Sequence, residues 1–204
     1  EVILMAALSK TAAISLISLQ QIASNTVVVS SAQDVSTKFG VSIYIHLGRD
    51  DTGGALTEGV EFRVEASAKT TGNDQWYPVS ELKSNVTLPE AELLTAGLED
   101  VGATVLELAS TTNLAVNDQI LIKNTTIGNS EWSRIIALVA NTSITIEPAL
   151  TRVQTGSTVY DQAQPFFFDI DCENIVRLRL VVNAANTGRT IVVEAFMVTS
   201  DSIA

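Results

Sequence analysis

The sequence predicts an all-β fold: an antiparallel, jelly-roll-like β-sandwich with an inserted small β-barrel module and an apolar N-terminal arm. Three observations carry this expectation. Runs such as Val41-Ser-Ile-Tyr-Ile-His-Leu47 and Val60-Glu-Phe-Arg-Val-Glu-Ala66 alternate apolar and polar residues, the period of a half-buried strand. Clusters of Gly, Asn, Asp and Ser bound these runs, as turns require. A block of short strands at intervals of roughly 11 to 15 residues separates two stretches of longer ones, the spacing of a small antiparallel barrel or sandwich.

In chain order, residues 2–22 are mostly Ala, Leu, Ile and Ser, broken by Lys10 and free of carboxylates after Glu1. Read from Met5, they have the outline of a short signal peptide, with an apolar stretch over 11–19 and Ala23 as a cleavage candidate. The stretch is too short and interrupted to cross a membrane as a helix. The other reading makes residues 1–23 an arm that docks on its own domain or on a neighbouring subunit.

Strands are expected over 26–30, 41–47, 60–66 and 75–79, where Pro78 marks an edge or a strand end because it has no N–H for a ladder bond. Pro89 and Gly97 punctuate a helix over 89–96. Within residues 98–161, strands are expected over 103–108, 118–123, 132–139 and 143–147. Three longer ones follow over 166–170, 175–183 and 190–199, the last two read as a terminal hairpin joined by the turn at 183–188. Arg177 and Arg179 share one face of their strand. Residues 24–97 and 162–204 would thus form one sandwich, interrupted at a loop tip by 98–161, with a simple tandem of β domains as the alternative.

Composition excludes several functional classes. Of 204 residues, 12 are Lys or Arg and 23 are Asp or Glu, for a net charge of −11. That balance opposes nucleic-acid binding, which needs clustered cations against phosphates. One Cys supports neither a disulfide framework nor a cysteine metal site, and one His leaves no His-rich centre. No membrane partner and no cofactor are expected.

Individual residues add little chemistry. His46 shares the polar face of its strand with Ser42 and Tyr44, and no Gly-x-Ser-x-Gly elbow is present to supply a nucleophile. Cys172 lies between Asp171 and Glu173, whose charge disfavours the thiolate. Asp50 and Asp51 in the loop 48–54, and Asp169, Asp171 and Glu173 at alternate positions, have the oxygen chemistry of a calcium site, but neither set follows an EF-hand spacing. Loop 48–54 also lacks the Gly-Lys-Ser/Thr of a phosphate loop. Trp76, Tyr77 and Trp132 are candidates for a sugar-stacking platform, against the commoner role of aromatics as core or interface anchors.

Residues 98–161 resemble a known kind of module. Gly102-Ala-Thr-Val-Leu-Glu-Leu108, Leu114-Ala-Val-Asn-Asp-Gln-Ile-Leu-Ile122, Glu131 to Val139, Asn141-Thr-Ser-Ile-Thr-Ile146 and Pro148-Ala-Leu150 follow one another in order. This is similar to the small β-modules of tailed-bacteriophage virion proteins and some bacterial surface proteins, except that Asn117 stands where those modules carry Gly. The flanking sandwich is similar in style to phage capsid decoration or auxiliary proteins. The resemblance implies a non-enzymatic virion structural protein, a homo-oligomer whose further partner is a major capsid protein or another virion lattice protein. On that reading the expected interface residues are Leu8, Ile14, Leu16, Ile17 and Leu19 of the arm and the run Phe166, Phe167 and Phe168. Two alternatives stand beside it: a strand-donating subunit of an extracellular surface filament, and a carbohydrate- or receptor-binding β-domain.

Overall fold

Alternating segments from both ends of the chain pair into two facing antiparallel sheets, and the middle of the chain builds a third. The computed structural model describes residues 10–49, 55–70, 75–87, 91–93, 98–161 and 163–201. The strands are β1 (Ile14–Ile22), β2 (Val27–Val29), β3 (Gln33–Asp34), β4 (Lys38–Arg49), β5 (Glu61–Ser67) and β6 (Tyr77–Lys83). Then come β7 (Ala91–Leu93), β8 (Leu98–Glu99), β9 (Val105–Glu107), β10 (Gln119–Lys123), β11 (Glu131–Val139) and β12 (Ser143–Glu147). The series ends with β13 (Gln154–Thr155), β14 (Thr158–Asp161), β15 (Ala163–Asp171), β16 (Arg177–Asn183) and β17 (Ile191–Asp201). Among the described residues helix is confined to a 3-10 turn at Ile127–Asn129, so none is long and apolar enough to cross a membrane.

The first sheet runs β1-β17-β4-β15 and the second β2-β16-β5-β6, with β3 also on β16. Val41, Ile43, Ile45 and Leu47 of β4 share one buried core with Phe62 and Val64 of β5 and with Leu178, Leu180 and Val182 of β16. Alternation sends every second side chain there, which leaves the intervening residues on the outer faces. The third sheet runs β7-β14-β10-β11-β12-β9 and wraps a separate core of Leu106, Ile120, Ile122, Ile135, Ile144, Ile146 and Val159. Asn117 explains its own departure from the module pattern. Its φ of +81° lies in the left-handed region, where glycine is free and asparagine is among the better-tolerated side-chain-bearing residues.

Three expectations are corrected. The last two strands are not a hairpin: β16 pairs with β5 and β2 in the second sheet, whereas β17 pairs with β4 and β1 in the first. The turn after Asn183 therefore arches between the sheets, and period-two alternation is the same for an arch and a hairpin. The helix over 89–96 is replaced, at the residues described, by β7, whose Ala91, Glu92 and Leu93 pair with Tyr160, Val159 and Thr158. A helix of two turns is marginal alone, and an available strand edge outcompetes it. The apolar stretch read as a signal-peptide outline is β1, docked on its own chain: Ile14 pairs with Met197 and Ile22 with Ile191, while Ile17 and Ile22 enter the core.

The third sheet leans on the outer face of the first. Leu121, Tyr160 and Val192 are buried together, with Leu19, Ile127 and Trp132 packed around them. Gly48 makes this approach possible. A β-carbon there would lie 2.9 Å from Leu121 Cδ2 and 3.0 Å from Trp132 Cη2. Gly48→Ala is therefore expected to cost about 1–3 kcal/mol by overpacking and to change the Trp132 emission maximum as the junction opens. An unchanged emission spectrum and melting temperature would refute this account of the junction.

Candidate functional site

The outer face of the first sheet carries a run of aromatic side chains. On β4, Ser42, Tyr44, His46 and Gly48 alternate with the core residues and so face outward. The ladder sets Val198, Phe196, Glu194 and Val192 of β17 beside them, and Asp169 and Phe167 of β15 beside Ser42 and Tyr44. This register assembles a continuous row of rings. Phe167 lies 5.1 Å from Tyr44, Tyr44 stacks on Phe196 at 5.3 Å, Phe196 is 5.9 Å from His46, and His46 stacks on Trp132 of β11 at 4.9 Å. Such pairs contribute about 0.5–1.5 kcal/mol each beyond their buried area. The Trp132 end is covered by the third sheet. The other end is open, with Phe167 49% and Tyr44 38% exposed.

Where the third sheet meets this face, a cleft of about 480 Å³ opens between β1, β17 and the segment 128–152. Ser15, Leu19, Trp132, Pro148, Arg152 and Glu194 are among the residues lining it. Burial raises the Glu194 carboxyl above its ordinary pKa, against the opposing pull of the Arg152 charge and the Trp132 indole N–H. That indole N–H faces Glu194 without reaching hydrogen-bond geometry, and Trp132 Nε1 is a buried polar atom with no partner. His46 lies behind Trp132; burial lowers its pKa, and its Nδ1 is likewise buried and unpartnered. A neutral, inward-turned imidazole with no nucleophile beside it is a packing element of the junction.

The interface residues expected from the sequence are dispersed by the alternation. Phe166 and Phe168 point into the core, where Phe166 meets Phe62 at 4.8 Å; of the run, Phe167 alone presents surface. In the arm, Ile17 is core, Leu16 and Leu19 are partly buried, and Ile14 is 37% exposed; Leu8 lies outside the described residues. Buried phenylalanines are held by the sandwich itself and are not available to a partner.

Other candidates are also placed. Trp76 belongs to the outer face of the second sheet, where the guanidinium of Arg179 lies 4.3 Å and that of Arg177 5.4 Å from its ring centroid. Arg179 in turn pairs with Glu65 at 2.6 Å, and Arg63 pairs with the same carboxylate at 2.9 Å. With a cation over its ring, Trp76 is engaged in cation–π packing and does not share a platform with Trp132 on the opposite side of the sandwich. Tyr77 begins β6 and donates its phenolic hydrogen to Gln75 at 3.0 Å. Asp169 accepts from the Ser42 hydroxyl and Asp171 from the Glu173 backbone N–H; among the described residues no three His, Cys, Asp or Glu side chains converge as metal ligands. Asp50 and Asp51 lie outside the described residues.

Cys172 is buried, and burial together with Asp171 pushes its thiol up to about 11. Folded protein at pH 7.5 is accordingly expected to leave a thiol reagent such as DTNB unreacted, and protein in 6 M guanidinium to react with one equivalent. Rapid labelling of the native chain would contradict this placement.

The row of rings escaped sequence reading because its members come from β4, β11, β15 and β17, and only register brings them together. A faint signal existed: Tyr44 and His46 on the polar side of an alternating strand are aromatic where small polar residues would suffice.

No family model and no curated protein matches the chain. Among solved structures it is similar to the SPBc2 prophage-derived protein YomS, at a TM-score of 0.32 and 10% identity over 96% of this chain and 98% of that one. It is also similar to VP17, a capsid protein of bacteriophage P23-77, at 0.19 and 11% over 97% and 100%. The infectious bursal disease virus VP2 of the subviral particle gives 0.27 and 10% over 96% of this chain and 42% of that one. These neighbours are phage and virus proteins, and likeness at such TM-scores carries no functional inference.

Proposed function

We propose that this chain is a non-enzymatic structural subunit of a virion, of the capsid decoration or auxiliary type, which associates by burying the open aromatic end of its first sheet against a neighbouring copy. The observation that carries this reading is the row of rings: covered at Trp132, it continues with the same chemistry to the uncovered Tyr44 and Phe167. An exposed aromatic patch continuous with a packed junction is the surface of an association site. Asp169 and Asp171 on the edge strand β15 discourage indiscriminate strand pairing there. The resemblance of residues 98–161 to virion modules supports the same class. Because β1 already pairs within its own chain, donation of that strand to another subunit has no observation in its favour.

Light scattering of the full chain tests the proposal. A discrete small oligomer is expected, tightened by salt because copies of net charge −11 repel one another. The double variant Tyr44→Ser, Phe167→Asp should be monomeric with an unchanged far-ultraviolet circular dichroism spectrum. A wild type that is monomeric at high concentration and 0.5 M salt, or a double variant that keeps the oligomer, would overturn it.

A further inference from the structure

We infer that the junction cleft is a binding site for a neutral saccharide. Its chemistry is separate from the open aromatic end, so the inference stands independently of the assembly reading. The lining is a matched set. Glu194 supplies acceptor oxygens, the Arg152 guanidinium supplies donors, and the Ser15 hydroxyl does both. Leu19, Pro148 and the indole give an apolar wall of the kind that the C–H face of a sugar ring covers. Two carboxylates, Glu131 and Glu194, against the Arg152 guanidinium give the lining a slight negative balance, which disfavours an anion and suits a ligand that is polar but uncharged.

The rest of the lining is already committed. Glu131 accepts from the Thr151 and Arg152 backbone N–H groups and from the Thr151 hydroxyl, holding segment 151–152 against β11. Arg152 reaches the Ser130 carbonyl with one nitrogen at 3.3 Å, which fixes the guanidinium at the cleft while its other donors remain. Glu194 sits on β17, an inner strand of the first sheet, and is half-buried beside the Trp132 indole N–H. Vicinal hydroxyls suit this lining: each O–H donates to the Glu194 carboxylate, and a hydroxyl oxygen accepts from the Arg152 guanidinium. A volume of about 480 Å³ lies within the range of small-ligand pockets and accepts one or two sugar rings.

The test is a titration of the 204-residue chain, followed by tryptophan fluorescence and saturation-transfer NMR. The probes are glucose, galactose, mannose and N-acetylglucosamine, their β-linked and α-linked trisaccharides, and sialic acid as an anionic comparison. At least one neutral probe should bind saturably, with a preference for the trisaccharide where the natural ligand is a polymer. Glu194→Gln and Arg152→Ala, which add no bulk to the junction, should each weaken that binding tenfold or more, whereas Trp76→Phe should leave it unchanged. Absence of saturable binding by every neutral probe, binding of sialic acid alone, or affinity unaltered in both cleft variants would overturn the inference.

Discussion

Gly59→Ala is expected to lower the free energy of unfolding by about 3 kcal/mol or more. A β-carbon at Gly59 would lie 2.0 Å from the Ser84 carbonyl oxygen and 3.0 Å from the carbon that carries it. The obstacle is backbone, so no side-chain rotation relieves it. Nor is that backbone free to retreat. The Ser84 N–H donates to the Val60 carbonyl at 2.8 Å, and the Val60 N–H donates to the Ser84 hydroxyl at 2.9 Å. Relief therefore means breaking a pair that extends the β5–β6 ladder toward Leu56. Urea unfolding followed by circular dichroism measures the effect, with Gly128→Ala as the comparison because nothing lies within 4 Å of a β-carbon there. Equal midpoints for the two variants would show that the close approach at Gly59 imposes no constraint.

Phe62→Ala is expected to cost about 3–5 kcal/mol, the range for deleting a buried aromatic ring. Phe62 is fully buried, on the second sheet, and its ring meets Phe166 of the first. The loss thus falls on the contact that holds the two sheets face to face, and rigid strands on both sides cannot close the void. Phe62→Leu refills most of the volume and should lose less than half as much. A shift in urea midpoint without a change in slope would confirm loss of packing in the native state. An alanine variant within 1 kcal/mol of wild type would mean that the sheets repack around the gap.

The two proposed surfaces meet at Trp132. One of its ring faces stacks on His46 and ends the aromatic row, and the residue also lines the cleft, with its buried N–H beside Glu194. Association through Tyr44 and Phe167 and ligand binding at Glu194 and Arg152 are nonetheless separable, because their variants lie on different strands or at opposite ends of the row.

Much of this was legible in the residues. Period-two alternation in 41–47, 60–66 and 175–183 was enough to establish strands and to say which side chains of each share a face, since the geometry of an extended chain has no other solution. Turn residues marked the boundaries, and Asn117 could be singled out as a glycine substitute from its place before Asp118. The charge balance and the single His and Cys excluded whole classes of chemistry without any fold. The tertiary structure alone decided which strands share a sheet. Alternation is blind to partner, so the arch after Asn183, the pairing of Ala91–Leu93 with β14 and the docking of β1 on β17 were beyond local reading. The same blindness hid the candidate sites. Phe166, Phe167 and Phe168 look alike in sequence, and only the register of β15 against β4 sends two inward and one outward. Trp132 reaches His46, and Arg152 reaches the neighbourhood of Glu194, because a glycine at position 48 lets the third sheet settle onto the first. Local sequence determines how each segment repeats; long-range packing determines what each repeat meets.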